Sequence, residues 1–227
     1  MNPDSVVNHI LSSGIVATLP SVVPLQDITK LSDALLASPV LTVQMPWCMD
    51  AASLICDLKN NGNGNMVVGV SGVTTAVSLR AAISAGAQFI ITPQYDPELA
   101  AICKQYYILM IPTVISGMVA AVAYQNGLKL INMRTGGHRG PDFISMVQRS
   151  IPGLHVAVGG NFSQREIAVY AQFGASAIIV QDAIYEGGEQ LMADVITNAR
   201  RAQKGWDKGL KNRQRFGSER PFFPSLN

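Results

Sequence analysis

Eight short runs of β-branched and other apolar residues recur along the 227-residue chain, each followed by a stretch with helical patterning. Strands are expected near Ile15–Leu19, Val40–Met45, Met66–Val70, Phe89–Thr92, Ile108–Ile111, Leu128–Met133, His155–Val158 and Ala177–Val180. Helices are expected between them, among them Ile28–Ala37, Thr74–Ala85, Pro97–Gln105 and Gln164–Phe173, with a leading helix near Ser5–Leu11 that would plug or flank the barrel bottom. Parallel strands need a long crossover, which a helix supplies, so this alternation predicts a parallel sheet. Eight such units predict a closed (β/α)8 TIM barrel, a fold that ordinarily takes ~200–250 residues.

Punctuation residues set the limits. Asp4, Asp27, Asp96 and Ser163 stand where helix N-caps are needed, and Pro97 suits a first helical position. Gly86, Gly127 and Gly174 fall between a helix and the next strand, where a left-handed cap is expected. Asn60–Asn65 is a loop by composition at the N-terminal rim, away from chemistry.

Hydrophobic residues make up 48% of the chain and charged ones only 14%, a balance that predicts a buried core and surface given over to subunit contacts. No apolar run approaches the ~18 residues of a membrane span. The start, Met1-Asn2-Pro3-Asp4, lacks the basic residues and apolar core of a signal peptide. Cys48, Cys56 and Cys103 form no metal-ligand spacing and leave an odd count, which points to reduced thiols in the cytoplasm and to no metal. No cofactor is expected.

Charge is unevenly spread. From Arg200 onward eight cations face two carboxylates, a net +6, which leaves −4 on the rest. The reading is a barrel over 1–204 and a basic, aromatic tail over 205–227, without helical periodicity. Trp206, Phe216, Phe222 and Phe223 are anchors of the kind found at interfaces, so the tail is expected to dock on its own oligomer, an acidic protein or a nucleic acid.

Four segments carry a family resemblance. Gly14-Ile-Val-Ala-Thr-Leu19, Ala85-Gly-Ala-Gln-Phe-Ile-Ile-Thr-Pro93, Ile111-Pro112 and Val158-Gly-Gly160 resemble strands of the 2-keto-3-deoxy-6-phosphogluconate (KDPG)/4-hydroxy-2-oxoglutarate (KHG) aldolases, over about Ser13 to Trp206. The resemblance implies a trimeric class I aldolase barrel, with a Schiff-base lysine on the sixth strand and an acid/base glutamate and a carboxylate-holding arginine on the second. Counting from Gly127, the lysine position holds Asn132. Gln44 stands for the glutamate, Cys48 for the arginine, and Pro20 for the arginine after the first strand. Gly69-Val-Ser-Gly72 lacks the third strand's threonine, and Gln181-Asp-Ala183 replaces the eighth strand's Gly-Gly-Ser.

Lys129 is the rescue candidate for the missing amine, but strand alternation aims it outward if Asn132 points inward. The same alternation carries Arg134 inward at the strand mouth. Beside Gly136, Gly137, Gly159 and Gly160 it could form a site for phosphate or carboxylate. Otherwise it pairs with Asp182 or Glu186 and seals the barrel. His138 reads as a rim residue, His155 as a structural strand head, Trp47 and Tyr95 as pocket-lining or packing residues, and the methionines at 110, 118, 133 and 146 as core.

Two readings follow. One is a catalytically silent relative of these aldolases, acting as a structural or partner-binding subunit in a homotrimer. The alternative is an active lyase or isomerase on a 2-keto acid or sugar phosphate that uses Lys129 or another group.

Overall fold

β-Branched strands too short to be stable alone are buried here on both faces. The computed structural model describes residues 1–20, 23–134, 140–180 and 191–216. Eight parallel strands close on themselves in chain order, the last pairing with the first. They are β1 (Ile15–Thr18), β2 (Thr42–Pro46), β3 (Val67–Ser71), β4 (Phe89–Thr92), β5 (Leu109–Val114), β6 (Leu130–Arg134), β7 (His155–Gly160) and β8 (Ala177–Val180). The helices are α1 (Pro3–Ser13), α2 (Leu25–Leu36), α3 (Ala51–Asn61), α4 (Ala76–Ser84), α5 (Pro97–Gln105), α6 (Gly117–Gln125), α7 (Pro141–Ser150), α8 (Gln164–Gln172) and α9 (Leu191–Phe216). The expected (β/α)8 barrel is present. Among the described residues no helix is long and apolar enough to cross a membrane.

Alternation along the strands separates two cores. Outward residues such as Val43, Val68, Ile90 and Val158 pack under the helices. Inward residues, Val16, Val67, Phe89, Ile111, Leu130 and Ala157 among them, fill the lower barrel. Val6, Val7 and Ile10 of α1 join the inner cluster from below, so α1 is the bottom plug. Gly69 is part of this packing, because a Cβ there would collide with the Phe89 ring.

Caps follow local chemistry. Asp96 Oδ1 accepts from the backbone N–H groups of Glu98 and Leu99 at 2.8 and 3.2 Å. Ser163 and Glu166 form a reciprocal capping box. Gly86, Gly127 and Gly174 all have positive φ, as their positions between helix and strand require. Two expectations shift. The cap of α1 is Asn2 rather than Asp4, and Asp27 lies inside the first turn of α2, which starts after Pro24. In both cases proline at or near the start sets the entry, and the acid then lies inside the first turn, where it faces the helix's positive end.

The chain end departs most from expectation. Helix α9 runs unbroken through the expected boundary at Lys204, and Trp206 is only 3% exposed, packed in the outer core. Gly205 and Gly209, residues of low helix propensity, lie one turn apart on the face crossing α8. A Cβ on Gly205 would lie 2.6 Å from the Gln164 carbonyl oxygen, and one on Gly209 would overlap the Ala168 carbonyl. The glycines permit close crossing, which outweighs their low helix propensity. Trp206 therefore anchors the chain to its own barrel. The Phe216 side chain, Phe222 and Phe223 lie outside the described residues.

Candidate functional site

The inward face changes chemistry as the strands rise. Two residues beyond an apolar or glycine position comes a polar one: Thr18 after Val16, Ser71 after Gly69, Thr113 after Ile111 and Asn132 after Leu130. On β2, Gln44 follows Thr42. The strands pair Gln44 with Thr18, and Thr113 with Asn132, while Ser71 stands beside Ile91 on β4. Above the apolar floor lies a cavity of about 230 Å³ at the C-terminal ends of the strands. Gln44, Ser71, Thr92, Thr113, Asn132, Arg134 and Gly159 line it, with Gly72, Ile91, Pro93 and Ile179.

Gln44 and Asn132 are 2% and 5% exposed. The Gln44 Nε2 donates to Thr18 Oγ1 at 2.7 Å, and the Asn132 Nδ2 donates to Thr113 Oγ1 at 3.0 Å. Each amide thus keeps its nitrogen bonded to a threonine, while both amide oxygens have no partner among the described residues. Gly159 gives Asn132 room, since a Cβ there would meet Oδ1 at 3.1 Å. The two threonines were not singled out in the sequence. Their signal was available in the strand period, because each stands level with an inward amide on a neighbouring strand.

Arg134 ends β6 at the exposed rim of the same cavity. Among the described residues it makes no ion pair. Asp182, Glu186, Gly136, Gly137 and His138 lie outside the described residues, as does Gln181-Asp-Ala183. Gly159 and Gly160 are the last two positions of β7, paired with Arg134, Ile179 and Val180, and so belong to the strand rather than to a turn. At the start of α8, Glu166 already supplies a carboxylate. Its Oε2 accepts from the Ser163 backbone N–H at 2.8 Å and from the Ser163 hydroxyl at 2.7 Å.

Lys129 lies at the opposite end of the barrel. It precedes β6, is exposed, and its Nζ stands 3.3 Å from Asp4 Oδ1 on α1. Such an exposed pair contributes about 0–1 kcal/mol. All seven lysines of the chain fall within the described residues, and none lines the cavity. His155 heads β7, and its pKa is pushed below the usual histidine range, first by burial and then by Lys129. Trp47 and Tyr95 pack against the outer core, not in the cavity. Met110 and Met133 are buried, whereas Met118 and Met146 are exposed on helices and do not fill the core. Cys103 is a buried thiol, with its pKa pushed up to about 12 by desolvation. Among the described residues, no three His, Cys, Asp or Glu side chains are gathered as a metal ion needs. A larger groove of about 940 Å³, with Arg200, Lys204, Lys208 and Lys211 on its wall, lies along α8 and α9 rather than at the strand ends.

A closed parallel barrel with a polar cavity over an apolar floor at the strand C-termini is the architecture of the (β/α)8 enzymes. The family model for KDPG and KHG aldolase matches residues 7–180, and the chain belongs to that family. Solved structures agree on the fold. A cube-shaped, highly porous cage designed by fusing symmetric oligomeric domains is similar with a TM-score of 0.79 at 17% identity, over 89% of this chain and 75% of that one. The 2-keto-3-deoxy-6-phosphogluconate aldolase from Zymomonas mobilis gives 0.73 at 16% identity, over 89% and 97%. The KDPG aldolase from Legionella pneumophila, with pyruvate captured as a covalent carbinolamine, gives 0.68 at 16% identity, over 91% and 98%. No curated protein sequence matches significantly.

Proposed function

We propose that this member of the KDPG/KHG aldolase family does not carry out imine-forming cleavage and that it uses the mouth cavity to bind a small anionic molecule. On this reading it is a ligand-binding or structural subunit of a homo-oligomer. The carrying observation is that the cavity lacks a lysine, although every lysine of the chain is placed. A Schiff base needs an amine within bonding reach of the bound carbonyl, and an amide nitrogen, its lone pair delocalised, cannot supply one. Gln44 likewise cannot exchange a proton near neutral pH, where a general base contributes ~10²–10⁴-fold. Lys129, at the barrel's far end, cannot reach the cavity without turning β6 over, which would flip every side chain of the strand.

Incubation with pyruvate and borohydride, read by intact mass, is expected to leave the protein unmodified. Pyruvate release from 4-hydroxy-2-oxo acids is expected to stay at the blank. A reduced adduct on any lysine would restore the active-lyase reading.

The oligomer is supported by large apolar side chains left exposed on the mouth side. Met49 follows β2, Val77 opens α4, Ile115 follows β5 and Met118 opens α6. We expect a trimer by light scattering. Replacing Ile115 and Met118 together by aspartate is expected to shift it to smaller species, while an unchanged mass would clear this face of the role.

A further inference from the structure

We infer that the mouth cavity is selective for a small hydroxy acid, with the carboxylate on Arg134 and hydroxyl groups on the Gln44 and Asn132 amides. This inference rests on the proposed binding role and names the ligand class for it.

The argument starts from the two amides. Both are more than nine-tenths buried, both line the cavity, and among the described residues both amide oxygens lack a partner. A buried polar group left unpaired destabilises the protein, and such groups normally have partners. The amide nitrogens already donate to Thr18 and Thr113, so the free atoms are acceptors and call for donors. A ketone oxygen only accepts and leaves both unsatisfied. A hydroxyl donates to an amide oxygen. β2 and β6 stand opposite each other in the closed order, so one hydroxyl cannot be expected to serve both amides. A ligand with hydroxyls on two carbons can.

The charge argument fixes the other end. Among the described residues Arg134 is the cation on the cavity wall, and a guanidinium matches a carboxylate in two parallel hydrogen bonds. The start of α8, where helix geometry would favour a phosphate, already holds the Glu166 carboxylate against Ser163. The cavity, about 230 Å³, lies below the ~300–1,000 Å³ typical for drug-sized ligands and suits a chain of a few carbons.

The test is calorimetric titration of the full chain with glycerate, erythronate and pyruvate. A site built to bond a hydroxyl strongly rejects an analogue lacking it, so the better hydroxy acid should bind at least about tenfold tighter than pyruvate. Gln44→Leu and Asn132→Leu should erase that ratio while carboxylate binding persists, and Arg134→Met should weaken all three acids together. Should a leucine variant not fold, chemical-shift mapping of glycerate on the unaltered protein must still place it at Gln44 and Asn132. Pyruvate binding as tightly as both hydroxy acids, or no saturable binding of either in the millimolar range, would overturn the inference. The borohydride result separates this from the wider reading. A trapped adduct removes the proposed function, whereas no adduct and no hydroxy-acid preference removes only the ligand class.

Discussion

Trp206→Ala is expected to lower the melting temperature by roughly 6–20 °C, the product of ~3–5 kcal/mol for a large-to-small aromatic substitution and ~2–4 °C per kcal/mol in a chain of this size. The indole is 3% exposed, and it lies against Gly14, whose φ of 70° forms the left-handed cap between α1 and β1. A Cβ on Gly14 would fall 2.0 Å from the ring, so indole and glycine occupy one shared space. The contact ties the last helix to the entry of the first strand and so fastens the two ends of the barrel. Ending the chain at Lys204 should do more damage, since it also removes the Gly205–Gly209 crossing on α8 and the Leu210 contact with the core. Thermal unfolding followed by circular dichroism checks both. A shift under 2 °C for Trp206→Ala would mean that α9 is dispensable packing.

That helix also shows where the sequence could be read and where it could not. The barrel was legible because each strand is a compact apolar run bounded by a capping residue or glycine, and one period of two then orients every side chain. That period put Asn132 and Arg134 on one face and Lys129 on the other, and the structure has Asn132 and Arg134 lining the cavity. The end of the chain was not legible, because glycine weakens a helix taken by itself, and the reason for two glycines one turn apart is the backbone of another helix. Exposed Met118 and Met146 failed as core assignments for a related reason. Composition reports that a residue is apolar, but not whether its helix face meets the barrel or the outside. Gln44 and Asn132 were singled out through the family resemblance, and both line the cavity. Their threonine partners depend on register across strands, which a single chain read end to end does not display.

The second large effect concerns the missing amine. Asn132→Lys is expected to give a borohydride-trapped pyruvate adduct at position 132, where the unaltered chain gives none. Asn132 sits on the inner face of β6, and Gly159 beside it leaves space for a longer side chain. Burial and the neighbouring Arg134 both disfavour the ammonium form, so an amine placed there is driven towards its neutral, nucleophilic state. Among the described residues the cavity wall carries no carboxylate that would hold the proton on. Adding Gln44→Glu supplies a proton-exchanging group across the cavity, on the strand opposite β6. The double variant should exceed the single one in pyruvate release from 4-hydroxy-2-oxo acids by ~10²–10⁴-fold, the usual contribution of a positioned general base. Intact mass and peptide mapping locate the adduct, and circular dichroism confirms that the variants fold. A folded Asn132→Lys protein that traps nothing would mean that this position cannot deliver an amine to a bound keto acid. An adduct at Lys129 in the unaltered chain would mean that the reacting end of the barrel lies at α1, away from the cavity lined by Gln44, Thr113 and Asn132.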